Sequence, residues 1–295
     1  MRVVSWIVRI LGAAVALILV LLLTFVIQGR GLATRHITRP VSELAVAPDS
    51  SLVPRGEHIA SIVCAGCHAP ELTGGHVLSG GHENYMDIPN GPKLGIMWAP
   101  NVTPGGVIKG ESDARIARVI REGVSFKDRP ILIMPSANFH TLSDRDVAAL
   151  VAYLRSQPSV EHLTPARAPN PLAFLMLGAR VVETSLTNPI PNPIPDIPED
   201  SSVAYGAYLT PILSCTECHG ADYRGGHQGQ LQPLGPNLVK LISEQPFTTF
   251  ELAVRHGVKP AGGMLDPTLM PWGTFANLSD VEVRAVYEFL KSLPR

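Results

Sequence analysis

Every cysteine in this chain lies in one of two pentapeptides, Cys64-Ala65-Gly66-Cys67-His68 and Cys215-Thr216-Glu217-Cys218-His219. C-x-x-C-H is the attachment signature of c-type haem. The two thiols add to the porphyrin vinyl groups, and the histidine that follows can coordinate the iron from the proximal side. Two motifs with no thiol left over imply two covalently attached haem c groups. One is held by Cys64, Cys67 and His68, the other by Cys215, Cys218 and His219. A chain that folds around such large apolar discs needs little packing material of its own. Aromatic residues make up only 6%, while 27 prolines and 26 glycines favour short helices joined by long loops.

Other chemistries also use C-x-x-C pairs. Four thiolates could close one zinc site, and each pair could be a redox dithiol or a structural disulfide. None of these requires a histidine directly after each pair, and a shared zinc would have to close a loop of about 150 residues. A formal net charge of −1, with no basic stripe and no phosphate-binding glycine loop, gives nucleic acid no footing.

Residues 10–27 form an uncharged apolar run. If residues 3–8 are added, only Arg9 interrupts, near enough to one end to snorkel to the headgroups. That length suits a helix crossing the hydrocarbon core. A secretory signal also has a basic start, but this run is longer than a signal's apolar region. No small-x-small site follows it either, since the next residues are Gln28-Gly29-Arg30-Gly31. Residues 1–30 therefore read as an uncleaved transmembrane anchor, and 31–53 as a linker. Arg2 and Arg9 on one side against Arg30, Arg35 and Arg39 on the other do not settle the orientation. Covalent haem attachment takes place outside the bacterial cytoplasm. The expected arrangement is a single pass through the inner membrane, N-terminus inside, with the haem domains in the periplasm.

The remainder is a repeat of domain size. Residues 55–68, RGEHIASIVCAGCH, align with 205–219, YGAYLTPILSCTECH, each with a glycine (Gly56, Gly206) ahead of its first cysteine. Gly74-Gly75-His76 is matched to Gly225-Gly226-His227, and Ala99-Pro100-Asn101-Val102 to Gly235-Pro236-Asn237-Leu238. REGV matches RHGV, Met134-Pro135 matches Met270-Pro271, and LSDRDVAALVAYLRSQP matches LSDVEVRAVYEFLKSLP. The last pair are helices. Ser143 and Ser279 stand at the N-caps, and Asp146 and Glu282 complete capping-box-like starts. Val147, Leu150, Val151 and Leu154 recur at helical spacing, as do Val283, Val286, Phe289 and Leu290. Gly56 and Gly206 would let the first helix of each copy approach a neighbour closely. Between the copies, residues 188–198 read NPIPNPIPDIP, an extended stretch that can be neither helix nor sheet centre. The expected fold is all-α, with domains at 54–158 and 201–295 joined by a Pro-rich connector at 159–200.

C-x-x-C-H, Pro-Asn, Met-Pro and a terminal amphipathic helix, in that order, resemble class I cytochrome c domains in tandem. More narrowly, APNVTP, REGV, and MP followed by LSDRDVAALVAYLRSQP are similar to the multihaem c-type cytochrome subunits of membrane-bound periplasmic dehydrogenases. This chain has two attachment motifs where three-haem members have three. The resemblance implies His68 and His219 as proximal ligands and Met134 and Met270 as distal thioether ligands. It also implies that the Pro100 and Pro236 carbonyls accept the N–H of each proximal histidine and so orient its ring. Met264 competes with Met270, and Met97 and Met86 compete with Met134. His76 and His227 share a register that admits a role near haem, either a propionate hydrogen bond or an alternative ligand; the competing reading is a solvated loop. His140, His162 and His256 have no clear counterparts. Trp272 is expected to pack on a haem edge, and Trp98 has no assignment.

A methionine opposite histidine raises the reduction potential and closes the sixth coordination position to substrate. The expectation is thus an electron carrier and not an enzyme. It would relay single electrons between a dehydrogenase or quinol donor and a downstream cytochrome or oxidase of a respiratory chain. The alternative is a dihaem oxidoreductase, peroxidase-like or thiosulfate-oxidising, with one displaceable axial ligand. A third reading, a subunit whose haems are only structural, has no feature in its favour. Residues 54–158 carry ten acidic and ten basic residues, and residues 199–295 carry ten acidic and seven basic. That imbalance points to a more basic redox partner facing the second domain.

Overall fold

The same helical plan occurs twice after a long N-terminal helix in the computed structural model, which describes all residues except 1, 71–76, 89–90, 191–192, 227–233, 268 and 295. Helix α1 runs Arg2–Thr34. The first copy contains α2 (Val53–Val63), α3 (Ala65–His68), α4 (Asp113–Glu122), α5 (Ser136–Phe139) and α6 (Asp144–Ser156). The second contains α8 (Val203–Ile212), α9 (Cys215–His219), α10 (Leu238–Glu244), α11 (Phe247–His256), α12 (Trp272–Phe275) and α13 (Asp280–Ser292). Two-residue strands β1 (Gly95–Ile96) and β2 (Ala168–Pro169) pair antiparallel. Helix α7 (Pro171–Gly178) lies between the copies. The architecture is all-α, as the sequence implies.

In each copy the first helix crosses the last at a glycine. A Cβ on Gly56 would lie 1.9 Å from the Ala149 carbonyl oxygen of α6, and one on Gly206 would lie 2.0 Å from the Ala285 oxygen of α13. Only a residue without a side chain permits this approach. The helices preceding the methionine loops end alike, at Gly123 (φ 63°) and Gly257 (φ 65°), in the left-handed conformation of a C-cap. The last helices differ at their starts. Ser279 and Glu282 form the full capping box. In α6, Ser143 caps Asp146 N, but its own N–H donates to the Tyr208 hydroxyl (3.0 Å) and the Asp146 carboxylate binds Arg55 (2.9 and 3.0 Å). The reciprocal half of the expected box is thus given up to partners from other helices.

The connector lies along the first copy. It supplies β2 to β1, and Ile194 exchanges backbone and carboxylate hydrogen bonds with Asp144. The described part of residues 188–198 is neither helix nor strand, but the α7 segment before it is helical.

Candidate functional site

The C-x-x-C-H segments form single helical turns, α3 and α9, that follow directly on the helices carrying Gly56 and Gly206. The helix crossing therefore fixes where the thiols stand. None of the four cysteines is paired in a disulfide. Among the described residues no group of three or more His, Cys, Asp and Glu side chains converges, which disposes of the shared zinc site. Burial pushes the Cys64 and Cys215 thiols up to about 12, keeping them neutral in the polypeptide.

The two histidines are held identically. His68 Nδ1 is 2.9 Å from the Pro100 carbonyl oxygen and His219 Nδ1 is 2.8 Å from that of Pro236. A carbonyl can only accept, so Nδ1 carries the proton and the Nε2 lone pair is left for a metal. Burial lowers the pKa of both imidazoles, opposed by the same carbonyl bonds, which keeps the neutral ligating form. At Gly235 a Cβ would lie 2.6 Å from His219 Nδ1, so the loop presses backbone against the ring.

Met134 and Met270 each precede a proline with φ −79° and ψ 55°. Ser136 N donates to Met134 O (2.8 Å) and Trp272 N to Met270 O (2.7 Å), closing matching inverse γ-turns. Met134 packs in the cluster that holds Cys64, and Met270 in the cluster that holds Cys215. The competitors lie elsewhere. Met86 and Met97 belong to a separate cluster with Ala173 and Met176, and Met264 is exposed. A fixed imidazole and two thiols on one helical turn, with a thioether packed in the cluster of the first thiol, are the donor set that a covalent haem requires. The residues fit the group twice over.

One register in the repeat needs correction. Gly80 N donates to His68 O (2.9 Å) and Gly81 N to Ala99 O (2.9 Å). Gly225 N donates to His219 O (2.8 Å) and Gly226 N to Gly235 O (3.0 Å). The partner of Gly225-Gly226-His227 is therefore Gly80-Gly81-His82, and the first copy carries six additional residues after its haem histidine. His76 and His227 themselves lie outside the described residues. Trp272 stacks over Gly257 and donates its indole N–H to Leu265 O (3.2 Å), so it closes the loop ahead of Met270.

Sequence reasoning missed two features. Arg121 pairs with Asp144 (2.7 Å) and also donates to Leu142 O, and Arg255 repeats both contacts with Asp280 (2.8 Å) and Leu278 O. Each arginine ties the helix before the methionine loop to the start of the last helix. The signal was present, because Arg and Asp recur inside the matched REGV/RHGV and LSD segments. The second feature is the contact between the copies, which follows a pseudo-twofold axis. Tyr208 of the second copy donates to Asp146 of the first (2.6 Å), and His58 of the first hydrogen-bonds Glu282 of the second (2.8 Å). In the repeat alignment these are the same two positions exchanged. Ile62 likewise enters the second core and Ile212 the first. Asn138, after the first methionine loop, donates to Ser214 (2.9 Å) and Glu217 (3.3 Å) beside the second attachment turn. Thr274, after the second methionine loop, meets Gly66 in the first attachment turn. Each attachment turn is thus met by the short helix, α5 or α12, that follows the other copy's methionine loop.

Burial alone would raise the Glu282 carboxyl, but hydrogen bonds from His58 and from Ser279 outweigh it and hold it below the ordinary carboxylate range. Arg55 and Tyr205 also face this group. A depressed folded pKa contributes stability above the unfolded value, and that contribution is lost as pH falls through the folded one. The parent protein should therefore keep this contribution from pH 7 to 5 and shed it below about pH 4.3. Thermal unfolding of the parent and of Glu282→Ala across pH 3–7 checks this. Parallel profiles for the two proteins would refute it.

Residues 51–154 match the family described as cytochrome C oxidase, cbb3-type, subunit III, and residues 203–294 match that described as cytochrome c. Both copies are cytochrome c domains, and the chain is a multihaem c-type cytochrome carrying two covalently bound haem c groups. It is similar to a nicotinate dehydrogenase subunit of Pseudomonas putida, 29% identical over 83% of this chain and 21% of that protein. Also similar are the gluconate 2-dehydrogenase cytochrome c subunit of Pantoea cypripedii (31% identical; 32% of this chain, 24% of the relative) and the fructose dehydrogenase cytochrome subunit of Gluconobacter japonicus (25%; 44% and 28%). The aligned stretch spans between a fifth and three tenths of each of these relatives.

Proposed function

We propose that this chain is the electron-transfer element of a dehydrogenase system. It takes single electrons from a dehydrogenase or quinol donor and passes them to a downstream cytochrome or oxidase. The haem iron, when bound, supplies the one-electron chemistry. The carrying observation is that both copies present the same donor set. On this reading His68 and Met134 would hold the iron of the first haem, and His219 and Met270 that of the second. Iron held by two protein ligands would have no position for substrate, so a carrier is favoured over a peroxidase-like or thiosulfate-oxidising enzyme. Helix α1 is long and apolar enough to cross a bilayer. As an uncleaved anchor in the inner membrane, it would hold both domains at the periplasmic face, within reach of membrane-bound partners. The relatives named as dehydrogenase cytochrome subunits support a dehydrogenase partner.

The test is a reduced-minus-oxidised spectrum and redox titration of the parent, Met134→Ala and Met270→Ala. Each variant should lose half of the methionine–iron band and show one of its two potentials lowered, with the other unchanged. Rapid peroxide turnover by a high-spin parent protein would overturn the carrier reading.

A further inference from the structure

The connector helix α7 packs antiparallel along the end of α1. A Cβ on Gly29 would lie 1.8 Å from Phe174 O, and one on Gly178 would lie 1.9 Å from Phe25 O. Two helices in backbone contact at paired glycines are what apolar surroundings favour, where close packing replaces the hydrophobic effect. The contacts pair residue 25 with 178 and residue 29 with 174. Val181 follows in the turn after α7, where its N–H donates back to Met176 O (2.9 Å), so it stays near the end of α7 that meets Phe25. Phe25 lies about 3 Å from Ile27 toward the middle of α1, at 1.5 Å per residue, so this end of α7 sits within the apolar run. Leu172 and Val181 are exposed, and α1 itself is exposed throughout its large apolar residues from Val3 to Leu23. The apolar surface therefore continues from α1 onto α7 and its turn. Basic side chains flank it: Arg30 and Arg35 near the end of α1 are exposed, and so is Arg180 in the turn. The other side of α7 is joined to the first haem domain through Ala173 and Met176, packed with Met86 and Leu94. Arg167 bridges Ala33 O (3.1 Å) and Pro130 O (2.9 Å).

We propose that α7 and the turn after it are a second membrane-contacting element, resting in the outer leaflet beside α1 with phospholipid covering Val181. The arginines would meet lipid phosphates at the rim of this contact. The inference rests on α1 being a membrane anchor. Its consequence is a fixed stance of the first haem domain on the bilayer, because α7 is bonded to both. A single span alone would leave the domain free to swing.

All four native cysteines are consumed by haem, so one introduced cysteine carries a nitroxide label uniquely. The holoprotein in nanodiscs of phosphatidylethanolamine and phosphatidylglycerol is labelled at Val15→Cys, Val181→Cys or Leu163→Cys, the last a 95% exposed connector position. Power saturation compares access to oxygen, which partitions into lipid, with access to a water-soluble nickel chelate. The expected result is an oxygen-to-nickel ratio several-fold higher at 15 and at 181 than at 163. Lipid-like access at 15 with water-like access at 181 would overturn the α7 contact alone. Water-like access at both would remove the anchor and the contact together.

Discussion

Arg121→Ala should destabilise the first domain by about 3–5 kcal/mol, the cost of leaving a buried charge without its partner. Arg121 and Asp144 are each about 6% exposed as side chains. Among the described residues the Asp144 carboxylate otherwise accepts the Ile194 N–H, and that cannot neutralise it. The same substitution in the second domain is the internal comparison. Arg255 makes the same contact at 2.8 Å, but Asp280 is 90% exposed and water takes over when the arginine is removed. Arg255→Ala should therefore cost about 1 kcal/mol or less. Denaturant titration with linear extrapolation measures both. Because Arg121 braces the loop that follows Met134, the first variant should also weaken the methionine–iron band under mild denaturant. Equal losses for the two variants, or a larger loss at Arg255, would remove burial as the explanation.

Gly56→Ala and Gly206→Ala should each disrupt one domain, although alanine is the better helix former. The new methyl carbon would lie about 2 Å from a backbone carbonyl oxygen of the last helix. No rotamer relieves that, since neither atom belongs to a flexible side chain. The helices must separate by more than an ångström, at a cost of about 3 kcal/mol, the upper part of the overpacking range. The separation would also move the attachment turn that follows the helix, so haem incorporation into that domain should fall together with stability. Gly273→Ala is the control, because nothing lies within 4 Å of a Cβ there. Haem content and unfolding midpoints unchanged in the Gly56 and Gly206 variants would refute the crossing geometry.

Much of the haem pocket was legible because its parts are local. C-x-x-C-H is one helical turn, Met-Pro is one γ-turn, and the glycine ahead of each motif announces a close crossing. The misread register around Gly74-Gly75-His76 has a physical cause. Gly-Gly-His occurs twice in the first copy, and only the hydrogen bonds from Gly80 and Gly81 show which pair bears on the haem histidine. Proline spacing implied that residues 188–198 would be neither helix nor sheet centre, and their described part is neither helix nor strand. It carried no information about where that chain would lie, or that the α7 segment before it would fold back onto α1.

The order of residues alone determined the cofactor, its number, the donor atoms on offer and the helical plan, because each depends on groups within a few residues of one another. Tertiary structure alone decided which arginine meets which aspartate, that the copies exchange Tyr208–Asp146 and His58–Glu282 across an axis, and that α1 has a companion helix. Those contacts join residues dozens to hundreds of positions apart. They form only when the packed cores bring them within hydrogen-bond range, and no local pattern encodes that distance.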